Sequence, residues 1–485
     1  MTIQPFQLEE TTINEIQQAF QEKRLTSVEL VQLYLTRIEQ FDRNGPKLNS
    51  VLTLNPDALE IAAERDAERG SKPYGALHGI PVLLKDNIET KDRMPTTGGA
   101  VALEHNFAAE DAFIAGKLRK SGAIILGKVN LSEWAYFMTQ NVPSGFSNLG
   151  GQVLHPYGAD RFEAGSVGGS SSGTGVAIAA NFAVLGVGTE TSGSILSPAS
   201  ANSIVGIKPT VGLLSRSGII PLAESQDTAG PMARTVTDAA IALGILAGMD
   251  EQDPITETAE ELAQKDYTDY LKRDGLQNAR IGVDMSFLSD ADSEERALIL
   301  QAIEDMKSQG AVFVEIEIPQ TNFDSEVLWH EFKRGVDAYL SKLPEAIAVK
   351  SLADVIEFNK QDPEARMKFG QLELEKAMTK SGDSQDPAYL EHRATDIRIS
   401  SVEGIDRAME EHRLDALLFQ DNRGAAMPAK AGYPSITVPA GYTTSGMPVG
   451  VTFSALAYQE ARLIELAFAY EQATHKRVAP ELEMN

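Results

Sequence analysis

The chain contains no cysteine. Disulfides, thiolate metal sites and cysteine nucleophiles are therefore excluded. Long apolar runs are missing too, and none approaches the roughly 20 residues of a membrane-spanning helix. The opening MTIQPFQLEETT has no basic stretch leading into an apolar one, so neither a signal peptide nor a membrane anchor is expected. A cytoplasmic location is the corresponding expectation. No cluster of five or more Lys or Arg occurs, and 43 basic against 69 acidic residues give a formal charge of −26. A chain this acidic repels phosphate backbones, so no nucleic-acid partner is expected. Its acidity reads as a solvated surface. Tandem repeats and long low-complexity linkers are also lacking. What remains is ordinary globular composition, 42% hydrophobic and 23% charged over 485 residues, enough for a sizeable core.

The apolar periodicity alternates between helix and strand. Ser27 is placed to cap a helix whose apolar positions are Val31, Tyr34, Leu35, Ile38 and Phe41. Residues 56–69 read as another helix. The apolar run Ile80 to Leu84 reads as a buried strand delivering Lys85-Asp86-Asn87 at its end. Helix is expected over 111–120, 131–138, 176–181, 235–247, 293–308 and 460–474. Strand is expected over 123–126, 183–187, 281–283, 312–318, 416–419, 435–438 and 449–453. The pattern predicts an α/β fold, a mixed central sheet covered by helices on both sides. Residues 324–413 are charged, helical by period and poor in strand signals. They are expected to be a helical insertion or cap within a single domain spanning 1–485.

Three partial motifs fail in context. Gly122 to Lys128 resembles a phosphate loop but has Val129 at the Mg²⁺-binding Ser/Thr position. His330-Glu331 begins a zincin motif that Arg334 ends. Gly169-Ser170-Ser171-Ser172-Gly173 fits G-x-S-x-G and would make Ser171 a nucleophile, but no strand signal precedes it.

The stretch from Gly165 to Thr210 is more informative. A Gly/Ser loop leads into a small-residue helix, a strand and a second Gly/Ser turn, Thr191-Ser192-Gly193-Ser194. Two such loops flanking a buried unit can direct backbone N–H groups to one point. A serine there has an oxygen nucleophile beside preorganised donors, as acyl transfer requires. No histidine lies near either loop in sequence. Lys85 is the alternative base, provided that burial keeps its amine neutral. The competing reading pairs Lys85 with Asp86 as a structural ion pair, and the residues alone leave both open.

Gly79-Ile-Pro81-Val-Leu-Leu-Lys85-Asp86-Asn87, Gly168-Gly169-Ser170-Ser171 and Gly188-Thr-Glu-Thr-Ser-Gly193-Ser194-Ile195 resemble the three catalytic segments of the amidase signature family. The paired serines stand 24 residues apart, as in that family. Gly206 to Thr210 and Asp227-Thr-Ala-Gly230-Pro231 continue the likeness, which runs from about residue 10 to about residue 475. The resemblance implies Ser194 as acylated nucleophile, Ser170 as bridging serine after a cis peptide bond, and Lys85 as base. It also implies that the amides of Thr191, Ser192, Gly193 and Ser194 bind the oxyanion, and that no cofactor or metal is needed. Glu190 and Ser192 depart from the commonest pattern, which has Asp and Gly. The detail is closest to peptide amidases. Leu196 and Ser197 stand where many relatives carry a carboxylate-binding Arg. The expected substrate is therefore a neutral small-molecule or peptide-like amide, cleaved at its C–N bond by a monomer or homodimer without membrane association. Alternatives are the A-type subunit of a tRNA-dependent amidotransferase, a broad aryl or aliphatic acylamidase, and a catalytically dead relative.

Overall fold

A computed structural model describes residues 6–70, 75–290, 293–319 and 325–483. The first five residues of the N-terminal reading, and residue 324 at the start of the expected insertion, lie outside the described residues. Thirteen strands occur in chain order among the described residues. They are β1 (Val51–Leu54), β2 (Pro81–Lys85), β3 (Ile124–Val129), β4 (Phe146–Ser147), β5 (Gly151–Gln152), β6 (Leu185–Glu190) and β7 (Val205–Lys208). Then follow β8 (Thr228–Ala233), β9 (Arg280–Val283), β10 (Val312–Glu315), β11 (Ala416–Gln420), β12 (Ser435–Tyr442) and β13 (Pro448–Ser454). Eleven form one sheet in the order β1-β3-β2-β6-β8-β7-β12-β13-β11-β9-β10, while β4 and β5 pair separately. Strand β2 runs parallel to both β3 and β6, β9 runs parallel to β10 and β11, and the remaining pairs of the sheet are antiparallel. The fold is thus a large mixed central sheet with helices around it. Helices Ser172–Ala179, Leu196–Ala201, Val236–Leu246, Glu294–Ser308 and Glu460–Thr474 pack against its strands.

Local chemistry explains the elements near the site. Every residue of β2 and β6 is buried, as expected of strands paired on both edges inside an α/β core. Every residue of helix Ser172–Ala179 is buried as well. Its small side chains let it approach neighbouring backbone closely: a Cβ on Gly173 would fall 2.3 Å from the Asn130 carbonyl oxygen and 2.5 Å from that of Ser50.

The structure corrects two sequence expectations here. Thr26, not Ser27, caps the first long helix, in a capping box with Glu29. The segment expected as a helix over 131–138 is helical only at Glu133–Tyr136, and Trp134, Ala135 and Tyr136 have φ of 51°, 55° and 74°. Its apolar spacing reflects packing rather than α-helical period.

Residues 327–412 contain helices Val327–Leu340, Leu352–Lys360, Pro363–Arg366, Leu372–Met378 and Pro387–Ile397, the last running through a π-helical stretch, Arg398–Asp406, into Arg407–His412. They bury a second apolar cluster with Trp134, Phe137, Met138, Ile220 and Leu222. Phe332 lies at its centre, edge-to-face with Trp134 at 6.1 Å and tilted on Phe137 at 4.5 Å. Phe332→Ala should cost about 3–5 kcal/mol, measured as a lower denaturant midpoint. An unchanged midpoint would mean that this cluster does not couple to the core.

Candidate active site

Three chain segments meet at the carboxyl end of β2. Lys85 is its last residue and has no exposed surface. Its Nζ lies 2.8 Å from Ser170 Oγ and donates to Thr189 Oγ1 at 2.9 Å and to the Thr189 carbonyl at 3.1 Å. Burial brings the amine down to about 7, although the Asp227 and Glu190 carboxylates act in the opposite direction. The structure does not pair Lys85 with Asp86. The Asp86 carboxyl instead accepts from Thr97 N at 3.2 Å and from the Thr97 hydroxyl, and its nearest compensating charge is Lys128. Lys128 is itself buried and donates to the Ile88 carbonyl and Thr96 Oγ1.

Ser170 follows a cis peptide bond to Gly169. Its carbonyl accepts from Ser132 N at 3.1 Å. Ser171, the residue singled out by G-x-S-x-G, holds the two Gly/Ser loops together. Its amide donates to the Ser194 carbonyl at 3.1 Å. Its Oγ donates to the Thr189 carbonyl at 3.0 Å and accepts from Thr189 N at 3.2 Å. A hydroxyl so committed is a structural clamp.

Ser194 is 8% exposed, whereas Ser170 and Lys85 are fully enclosed. The turn before it is organised by Glu190, whose carboxylate accepts from Gly193 N at 2.7 Å, Ile195 N at 2.7 Å and Leu196 N at 3.0 Å. This amends the expectation for Gly193: its N–H is occupied by Glu190. The N–H groups of Thr191, Ser192 and Ser194 have no acceptor among the described residues. Gly193 serves the turn through its left-handed φ of 77°. The Thr191 hydroxyl donates to Asp227 at 2.5 Å, and Asp227 also accepts from Leu222 N and Ala223 N. Burial raises that carboxyl to about 6.

A cavity of about 220 Å³ adjoins Thr189 and Thr191. Asn87 and Asp227 lie at its polar side, Ala135, Ile219, Ile220 and Leu222 form apolar wall, and Arg216 and Asp253 stand at its edge. Trp134 does not line this cavity and is packed into the second apolar cluster. A separate polar cleft is lined by Ser144, Gly168, Ser197 and Asn422. Among the described residues no group of three or more His, Cys, Asp or Glu is arranged to hold a metal ion. Sequence reasoning missed Thr189 and Asp227 as site residues, although both lie in segments that carried the resemblance. It also passed over Asn87.

A mixed sheet whose strand ends bring a buried lysine amine beside two serine loops has the parts that acyl-transferring hydrolases use. The family model described as Amidase matches residues 29–422. A probable amidase of Arabidopsis thaliana is 41% identical over 98% of this chain and 92% of its own length. The solved native peptide amidase of Stenotrophomonas maltophilia is 42% identical, with a TM-score of 0.91 over 99% of this chain and all of that one. The A-type subunit of the glutamyl-tRNA(Gln) amidotransferase of Gloeothece citriformis is more distant, at 33% identity over 97% of this chain and 99% of its own. The chain belongs to the amidase signature family. It is an amide-hydrolysing enzyme.

Proposed function

We propose that the enzyme cleaves neutral carboxamides, peptide-like ones among them, through an acyl-enzyme on Ser194, with Ser170 as relay and Lys85 as base. The observation that carries this reading is the set of three contacts at Lys85 Nζ. A neutral amine has two hydrogens and one lone pair. The hydrogens suit Thr189 O and Thr189 Oγ1, which leaves the lone pair for the Ser170 hydroxyl proton. Ser170 then takes the proton of Ser194 as Ser194 Oγ attacks the carbonyl carbon. The resulting oxyanion is met by the free N–H groups of Thr191, Ser192 and Ser194. The proton returns through Ser170 to the leaving nitrogen, the C–N bond breaks, and water deacylates Ser194 by the reverse relay. None of these steps calls for a cofactor or a metal.

The preference for neutral substrates is supported by charge. Arg216 is the cation at the cavity edge, and its guanidinium is held by Asp253 at 2.9 and 2.5 Å. Asp227 and Glu224 line the same space. Among the described residues no helix is long and apolar enough to cross a membrane. We further propose a cytoplasmic protein, monomeric or homodimeric and without a nucleic-acid partner, forming one domain in which 324–413 is an insertion. The purified chain alone should release ammonia from neutral amides, with kcat/KM at least about tenfold above that for malonamate-type acids, since an unpaired buried charge disfavours the acid. Better turnover of the acids would overturn the substrate preference. Ammonia release only with added protein partners would favour the amidotransferase reading.

A further inference from the structure

Asp227, the residue just before β8, ties the Ser194 turn to the neighbouring loop, and its two carboxylate oxygens divide the work. Oδ1 accepts from the Thr191 hydroxyl at 2.5 Å, and Oδ2 accepts from Leu222 N at 2.8 Å and Ala223 N at 2.9 Å. Thr191 opens the turn that ends in Ser194. Glu190 anchors the far end of that turn through the amides of Gly193, Ile195 and Leu196. At the near end the Thr191 side chain is held by Asp227, while its N–H has no acceptor among the described residues. Backbone donors stabilise an oxyanion only when they are fixed beforehand, and the Thr191 hydroxyl supplies that fixing.

The same carboxylate carries charge. Arg216, the cation that lines the cavity with Asp227, is taken by Asp253. Glu224 lines that cavity as well, and Glu331 faces Asp227 from helix Val327–Leu340, where it accepts from Ser225 N and Tyr389 Oη. Arg216 and Lys85 both feel the Asp227 charge. A guanidinium stays protonated, so the Lys85 amine is the group whose titration responds. Glu190 also acts on Lys85, less strongly than Asp227. We propose that Asp227 is a positioning residue for amide hydrolysis, which fixes the Thr191 end of the oxyanion-binding turn and serves as counter-charge to the Lys85 amine. This rests on the acyl-enzyme reading above.

The test reads ammonia release from N-acetyl-leucinamide, together with the rate at which a fluorophosphonate labels Ser194. On the plateau above pH 8, Thr191→Val keeps the N–H and the side-chain shape but loses the hydroxyl. It should lower kcat about tenfold with KM within about twofold, because the lost grip matters once the oxyanion forms. Thr191→Ser should restore most of kcat. Asp227→Asn removes the charge, so the ammonium form of Lys85 loses a stabilising partner and the acidic limb of kcat/KM moves to lower pH. At pH 6 the wild type should keep about a tenth of its own plateau and Asp227→Asn about half, a shift of about one unit. A residue with a structural role alone would lower the yield of folded enzyme and leave the limb in place. If Asp227→Asn does not fold, Asp227→Ser, also neutral, reads the same limb. An unmoved limb, or wild-type kcat in Thr191→Val, would overturn the proposal. Labelling separates this failure from failure of the acyl-enzyme reading. An adduct on Ser194 of the wild type, with variants that behave like it, removes the role of Asp227 alone. No adduct on Ser194 removes both.

Discussion

Ser194→Ala should lower kcat for any amide substrate by about 10⁴- to 10⁶-fold, the range expected when the nucleophile of a coupled set is removed. The fold should survive the change. Ser194 is tied to the neighbouring loop by its carbonyl, which accepts from Ser171 N, and Glu190 anchors the turn through the amides of Gly193, Ile195 and Leu196. None of these bonds uses the Ser194 hydroxyl. Thermal unfolding and circular dichroism should therefore match wild type while turnover is lost. Residual activity above about 1% in a folded variant would reject Ser194, because other groups that act in concert cannot replace a missing nucleophile.

Lys85→Ala should cost about 10²- to 10⁴-fold at neutral pH, the usual worth of a positioned base. In the wild-type enzyme the amine must be neutral to accept a proton. Its pKa is depressed to about 7, so the charged form predominates below that pH. Accordingly, kcat/KM should fall by about tenfold per unit below pH 7 and level off above it. Lys85→Ala should lose this limb and recover part of its activity at high pH, where hydroxide substitutes for the base. A limb near 10 would mean that the amine is solvated, and a loss independent of pH would count against the base assignment.

Much of this site is visible in the residues themselves, because its parts are local. The apolar run ending in Lys85 reads as a buried strand end, and the small residues between two Gly/Ser turns read as a tightly packed unit. What escapes a linear reading depends on partners distant in sequence. Lys128 approaches Asp86 from β3, so adjacency of Lys85 and Asp86 suggested a pair that the sheet does not make. Thr189 acquires its role because β6 lies beside β2, and the strand order of a mixed sheet is not encoded in any one segment. Periodicity misled at Trp134 to Tyr136, where three positive φ angles turn the backbone so that Trp134 and Phe137 meet the helices of 327–412. The amide of Gly193 could not be separated from its neighbours, since only the geometry of Glu190 determines which N–H groups it consumes.

The central claim is that Ser194 is the atom acylated and that Lys85 activates it through Ser170. Its most direct test is labelling of the intact enzyme with a fluorophosphonate, followed by peptide mapping across pH. The account predicts a single adduct on Ser194, whose rate of formation rises through about pH 7 and is abolished in Ser194→Ala. An adduct on Ser171 or elsewhere with Ser194 unmodified, in enzyme that has lost its amidase activity, would contradict it.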